Sequence, residues 1–78
     1  MAWIDVQGSL GLTNREQQVL VLVADGYSAK QIANEIGIAR RTVEGHIETV
    51  RLKMRARNKT HLITQAVEAG ILKIRASA

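Results

Sequence analysis

The chain carries the same helix-start punctuation twice in its first half, TNRE at residues 13–16 and SAKQ at 28–31. In each, a hydroxyl residue stands at the N-cap and a Glu or Gln follows three positions on. The hydroxyl accepts from the backbone N–H of that third residue, whose own side chain accepts from the N–H of the cap. Two donors that a helix otherwise leaves orphaned are thereby satisfied. Apolar residues at helical spacing follow each start: Val19, Leu20 and Val23 before Asp25-Gly26, and Ile32, Ala33 and Ile36 before Gly37. Leu12 stands just ahead of the first cap. A chain so punctuated can form only short helices joined by tight turns.

Two further helical patterns complete the reading. One runs from about Arg40 to Met54, where Val43, Ile47, Val50 and Met54 recur at 4-3-4 spacing and define one buried stripe. The other runs from Asn58 to Ala69, stops at Gly70, and leaves Ile71-Leu72 to fold back. It points Leu62 and Ala66 inward and sets Ile63 and Val67 one position round. That second apolar pair either closes a thin core or forms the seam of a two-fold dimer. No segment alternates with period two for long enough to be a strand, so the predicted class is all-α. Residues 12–72 form the four-helix domain. Residues 1–11, with Gly8 and Gly11, read as a flexible lead-in whose Trp3 and Ile4 pack on the domain, and 73–78 as a C-terminal tail.

Composition narrows the class of function. Seventy-eight residues make one small domain, which buries only about 60% of its unfolded surface. The absence of cysteine removes disulfide staples and zinc-finger frameworks together and fits a reducing, cytoplasmic setting. No apolar run approaches the roughly 20 residues that span a bilayer, and the N-terminus lacks the pattern of a signal peptide. Charge is asymmetric. Residues 1–39 hold two cationic side chains against four acidic ones, whereas residues 40–78 hold nine against three, with RLKMRARNK at 51–59 free of acids. That asymmetry points to a polyanionic partner for the second half or to a merely solvated basic face.

Two capped helices joined by a short glycine-containing turn, the second the more basic, have the layout of a helix-turn-helix. In that motif the first helix braces on the nucleic-acid backbone while the second lies in the major groove. Ala33 is small enough for the pair to approach closely, and Ile38 anchors the turn. The segment from Leu12 to Leu72 also resembles the DNA-binding domain of the LuxR/FixJ (GerE-like) transcription regulators. The shared marks are LT-x-RE, ADGYS, KQIA, the GI before the third helix, TV-x-x-HI within it, KM and RN towards its end, and A-x-x-x-GIL at the close. The resemblance implies a four-helix LuxR-type fold and a recognition helix at about 40–54 in the major groove of double-stranded DNA. It also implies a homodimer on DNA through the fourth helix, with Thr60, Ile63, Thr64 and Val67 at the interface.

On that reading, positions 41, 44, 45, 48, 52 and 55 lie away from the buried stripe and meet DNA. Arg40 and Arg41, at the positive end of the helix dipole, suit phosphate, and Lys30 matches a family lysine that clamps phosphate. Thr42 either donates to phosphate or bonds back into its own helix. Arg51 and Arg55 project along the groove or its rim, and Arg57 and Lys59 are equally well explained as solvated. Ala39 stands where the family offers a hydroxyl cap, a loss of about 1 kcal/mol. Glu44 and Glu48 depart from the family, which frequently places lysine or arginine there. Each either accepts from cytosine N4, selecting by repulsion from phosphate as much as by attraction, or pairs internally with Arg40, Arg41, Arg51 or Lys53. Gly45 lets the helix backbone approach the base edges.

No nucleophile–base pair, metal set or phosphate loop is visible in the sequence, so no enzyme, cofactor or small-molecule ligand is expected. His46 matches a family histidine at a helix junction, His61 lacks companions at metal spacing, and Glu16 reads as cap and salt bridge rather than general base. Two alternatives stand beside the regulator. One is the promoter-reading region of a sigma factor, which shares LT-x-RE. The other is an interaction protein that heterodimerises with a regulator and has weak DNA affinity, for which the two glutamates speak.

Overall fold

The structure, a computed structural model, describes the backbone of residues 3–6 and 11–74 and the side chains of 11–72. Among these residues there are four helices and two short strands. Helix α1 spans Asn14–Ala24, α2 Ala29–Ile36, α3 Arg40–Lys53 and α4 Lys59–Glu68. Both capping boxes form as the sequence requires. The Thr13 hydroxyl accepts from Glu16 N–H at 3.1 Å and Thr13 N–H donates to Glu16 at 2.9 Å. Ser28 and Gln31 exchange the same pair of bonds.

Each helix closes in the same way. Just past the helix end an N–H reaches five positions back, as in Tyr27 to Leu22, Ile38 to Ala33, Ala56 to Arg51 and Ile71 to Ala66. This Schellman closure needs one residue in the left-handed region. Gly37, at φ 70°, supplies it in the turn between α2 and α3. After α3 the residue so placed is Arg55, at φ 54°, the one non-glycine in that region among the described residues.

Packing divides into two clusters that share α1. Val19, Leu22 and Val23 meet Ile32 and Ala33 of α2 and Val43 of α3, while Leu12 and Leu20 meet Val50, Met54, Ala56, Leu62, Ala66, Ile71 and Leu72. Helix α3 thus anchors one end in each cluster. Ile47, counted on the buried stripe, is half-buried and packs against the first of them. At about 1.5–3 kcal/mol for each fully buried aliphatic side chain, Val43 and Val50 hold the inner face of α3 firmly. Its opposite face is left to solvent.

The helical class is as expected, but the sequence reading assigned no strand, and here it is corrected. Strand β1 (Trp3–Val6) pairs antiparallel with β2 (Leu72–Ile74), with an irregularity between Trp3 and Asp5. Segments this short carry too few residues to display a period of two, and their pairing is a long-range contact that local pattern does not contain. The packing of Trp3 and Ile4 and the tail beyond residue 74 lie outside the described residues.

Candidate nucleic-acid interface

Helix α3 turns about 100° per residue, so a line opposite its buried stripe passes through Arg41, Gly45, Glu48 and Leu52. All four are exposed. Nothing lies within 4 Å of where a Cβ on Gly45 would stand, which leaves this side of the helix open to a large partner. Leu52, counted on the outward face but given no role from sequence, is 62% exposed. Arg40, Arg41 and Thr42 emerge from the first turn, and Ala39 makes no side-chain cap there. Lys30 on α2 and Arg55 beyond the end of α3 are also exposed.

The two acids of this surface are not bare. Arg40 Nε donates to Glu44 at 3.3 Å across one turn. Glu48 is held side-on by one edge of the Arg51 guanidinium, Nε to one oxygen at 3.0 Å and Nη2 to the other. Those bonds hold the Glu48 carboxyl below its usual range against a weaker opposing effect of desolvation, and they raise Arg51 in turn. The third arm of Arg51, Nη1, donates to the backbone oxygen of Ala56 at 2.8 Å. Of the cations proposed to face DNA, Arg51 is therefore the one turned inward, with its side chain 27% exposed.

Lys53 was named with the possible partners of these glutamates and is found elsewhere. It lies five positions beyond Glu48, about 140° round the helix, and faces α1. Its Nζ donates to Glu16 at 2.7 Å and to the Gly11 oxygen at 2.8 Å. Glu16 is 5% exposed. The Lys53 hydrogen bond outweighs burial and keeps its carboxyl below the usual range. The N-terminal cap of α1 and the C-terminal end of α3 are tied by one ion pair. No local signal announces it, because its partners stand 37 positions apart.

On α4, Leu62 and Ala66 are fully buried, Ile63 is half-buried against both clusters, and Thr60, Thr64 and Val67 are exposed. An open groove of about 440 Å³ runs beside this helix, lined by Tyr27, Lys59, Thr60, Ile63 and Thr64 among others. His61 serves the start of α4: Asn58 caps its N–H, and its Nδ1 accepts from Arg57 N–H at 2.9 Å. Among the described residues no three His, Cys, Asp or Glu side chains stand close enough to hold a metal, and no helix is long and apolar enough to cross a membrane.

Comparison with known proteins gives this surface its context. The family described as bacterial regulatory proteins, luxR family, matches residues 10–66. The transcriptional regulatory protein DesR of Bacillus subtilis (strain 168) is 42% identical over 62 residues, covering 80% of this chain and 31% of DesR. FixJ of Azorhizobium caulinodans is 41% identical over 61 residues, covering 78% of this chain and 29% of FixJ. The chain therefore spans about a third of the length of these curated relatives. Among solved structures, the Vibrio cholerae VqmA dimer, described as a LuxR-type receptor, aligns with a TM-score of 0.77 at 40% identity, over 81% of this chain and 28% of VqmA. The transcription factor GerE aligns with a TM-score of 0.69 at 33% identity, over 81% of this chain and 92% of GerE. The match to these regulators sets aside the sigma-factor alternative. Four short helices, an outward α3 and this match lead to one assignment: the chain belongs to the luxR family of bacterial regulatory proteins, as a LuxR-type DNA-binding regulator domain.

Proposed function

We propose that this chain binds double-stranded DNA sequence-specifically in a bacterial transcription regulator, with α3 in the major groove and α4 at the seam of a homodimer. One observation carries the reading. The outer face of α3 is uncovered, and Lys30, Arg40, Arg41 and Arg55 are all exposed. At about 21 Å for 14 residues, the helix suits a groove about 12 Å wide, and exposed cations suit the phosphates beside it. VqmA, the relative described in complex with DNA, supports the reading by analogy. For α4 the support is the exposure of Val67, Thr60 and Thr64 beside the half-buried Ile63.

A second reading, the interaction protein with weak DNA affinity, is favoured by the two α3 acids, each of which already holds an arginine. Titration of labelled random duplex at several salt concentrations separates the two. Four phosphate contacts per protomer predict a log–log salt slope of about −3.6 for each protomer bound, about −7 for a dimer. A flat, weak response at low salt refutes the DNA reading and favours the other.

A further inference from the structure

The two glutamates of α3 are built differently, and the difference assigns them different roles. Glu44 accepts one bond from an exposed Arg40 that is free to swing to a phosphate. The partner of Glu48 has no such freedom. Arg51 gives two bonds to the Glu48 carboxylate and a third to the Ala56 oxygen. Ala56 N–H in turn donates to the Arg51 backbone oxygen at 3.0 Å. Ala56 is itself 4% exposed, within the core cluster that holds Leu62 and Ala66. The guanidinium is thus pinned to the α3–α4 turn, and Glu48 is pinned to the guanidinium.

We infer that Glu48 and Arg51 form a fixed specificity dyad, in which Glu48 accepts from the exocyclic amine of one cytosine and Arg51 is the positioning residue that aims it. This rests on the DNA-binding reading above. The chemistry follows from what each partner leaves over. Arg51 occupies one side of each carboxylate oxygen. Glu48 stands on the exposed line through Arg41, Gly45 and Leu52, and with its side chain 55% exposed the remaining lone pairs are open to a partner. A carboxylate there accepts and cannot donate. In the major groove it matches cytosine N4, whereas adenine sets the N7 acceptor beside its amine and repels the second oxygen. The guanidinium offsets the negative charge, which lets an acid approach a polyanion at all. A dyad that is already assembled loses little side-chain freedom on binding, so its discrimination is carried into the complex.

Selection of binding sites from a duplex library, using the whole 78-residue chain, tests this. Wild type should prefer cytosine at one position of each half-site. Glu48→Ala should lose that preference about tenfold or more and leave the other positions in place. Glu48→Gln should move it from cytosine to adenine, since an amide pairs bidentately with adenine. Arg51→Lys, which keeps the charge but not the bidentate grip, should weaken preference at that same position. Glu44→Ala should leave it. Both Glu48 variants alter an exposed side chain, so the test does not depend on how Arg51→Lys folds. Unchanged preference in Glu48→Ala and Glu48→Gln overturns the dyad. So does an Arg51→Lys variant that loses one phosphate contact from the salt slope while keeping the cytosine. If wild type binds no duplex at low salt, the failure belongs to the DNA-binding reading itself, and the dyad falls with it.

Discussion

Replacing Lys53 by methionine removes one nitrogen and little volume, and the structure states what is left behind. Glu16 keeps the Thr13 N–H but loses the ammonium 2.7 Å away, in a place where the residue is 5% exposed. Breaking a fully buried pair costs about 3–5 kcal/mol, because the surviving charge is stranded. An exposed pair is worth about 0–1 kcal/mol. The Lys53 side chain is 33% exposed, so water screens one partner and the expected loss falls between, at about 2 kcal/mol. For a domain this small, that is a drop of roughly 8–16 °C in Tm. Glu16→Gln keeps the cap acceptor and should cost less, about 1 kcal/mol.

Urea denaturation of both single variants and the double variant gives the coupling between the two residues, expected at about 1–2 kcal/mol near neutral pH. Its pH dependence has a definite sign. The folded-state pKa of Glu16 lies below its ordinary value of 4.5, so the unfolded chain takes up the proton first as the solution is acidified. The contribution is complete above about pH 4.5 and is lost as pH falls through the lower folded value. A Lys53→Met variant within about 0.5 kcal/mol of wild type, or a coupling that persists unchanged in strong acid, refutes the reasoning.

Three other perturbations are informative. Ala39→Ser restores the missing cap of α3 and should stabilise the domain by about 1 kcal/mol, read as a higher Tm by circular dichroism. Arg55 occupies a left-handed position at φ 54°, so Arg55→Gly should stabilise by about 1 kcal/mol. The same variant should reduce the salt slope of duplex binding by about 0.9, and a gain in stability without that reduction would remove Arg55 from the interface. Val67→Asp places a charge on the exposed face of α4. It should abolish cooperative binding to paired half-sites in a mobility-shift assay while a single half-site is still bound.

The helices were legible in the sequence because their determinants are local. A capping box closes within four residues and a Schellman turn within six. Spacing at 3.6 residues per turn is enough to separate Val43 and Val50 from Arg41 and Glu48. The family marks were legible for the same reason, since they are the caps, turns and core positions read in order. The outward Arg40 and Arg41 followed from their place at the start of α3, and Lys30 from the family resemblance.

Tertiary structure decided which charges remained available to a partner. Lys53 and Arg51 read alike in RLKM, two cations near the end of a basic helix. One is drawn to an acid at the cap of α1, 37 positions away, and the other to the carbonyl of a buried alanine in the next turn. The pairing of β1 with β2 across nearly the whole chain is of the same kind. Helical periodicity gives a residue's direction around its own axis, but not what stands in that direction. The packing of α1 on α3 brings Glu16 to Lys53, and the turn after α3 brings the Ala56 oxygen to Arg51, so these two cations are held within the fold while Arg41 and Lys30 stay exposed.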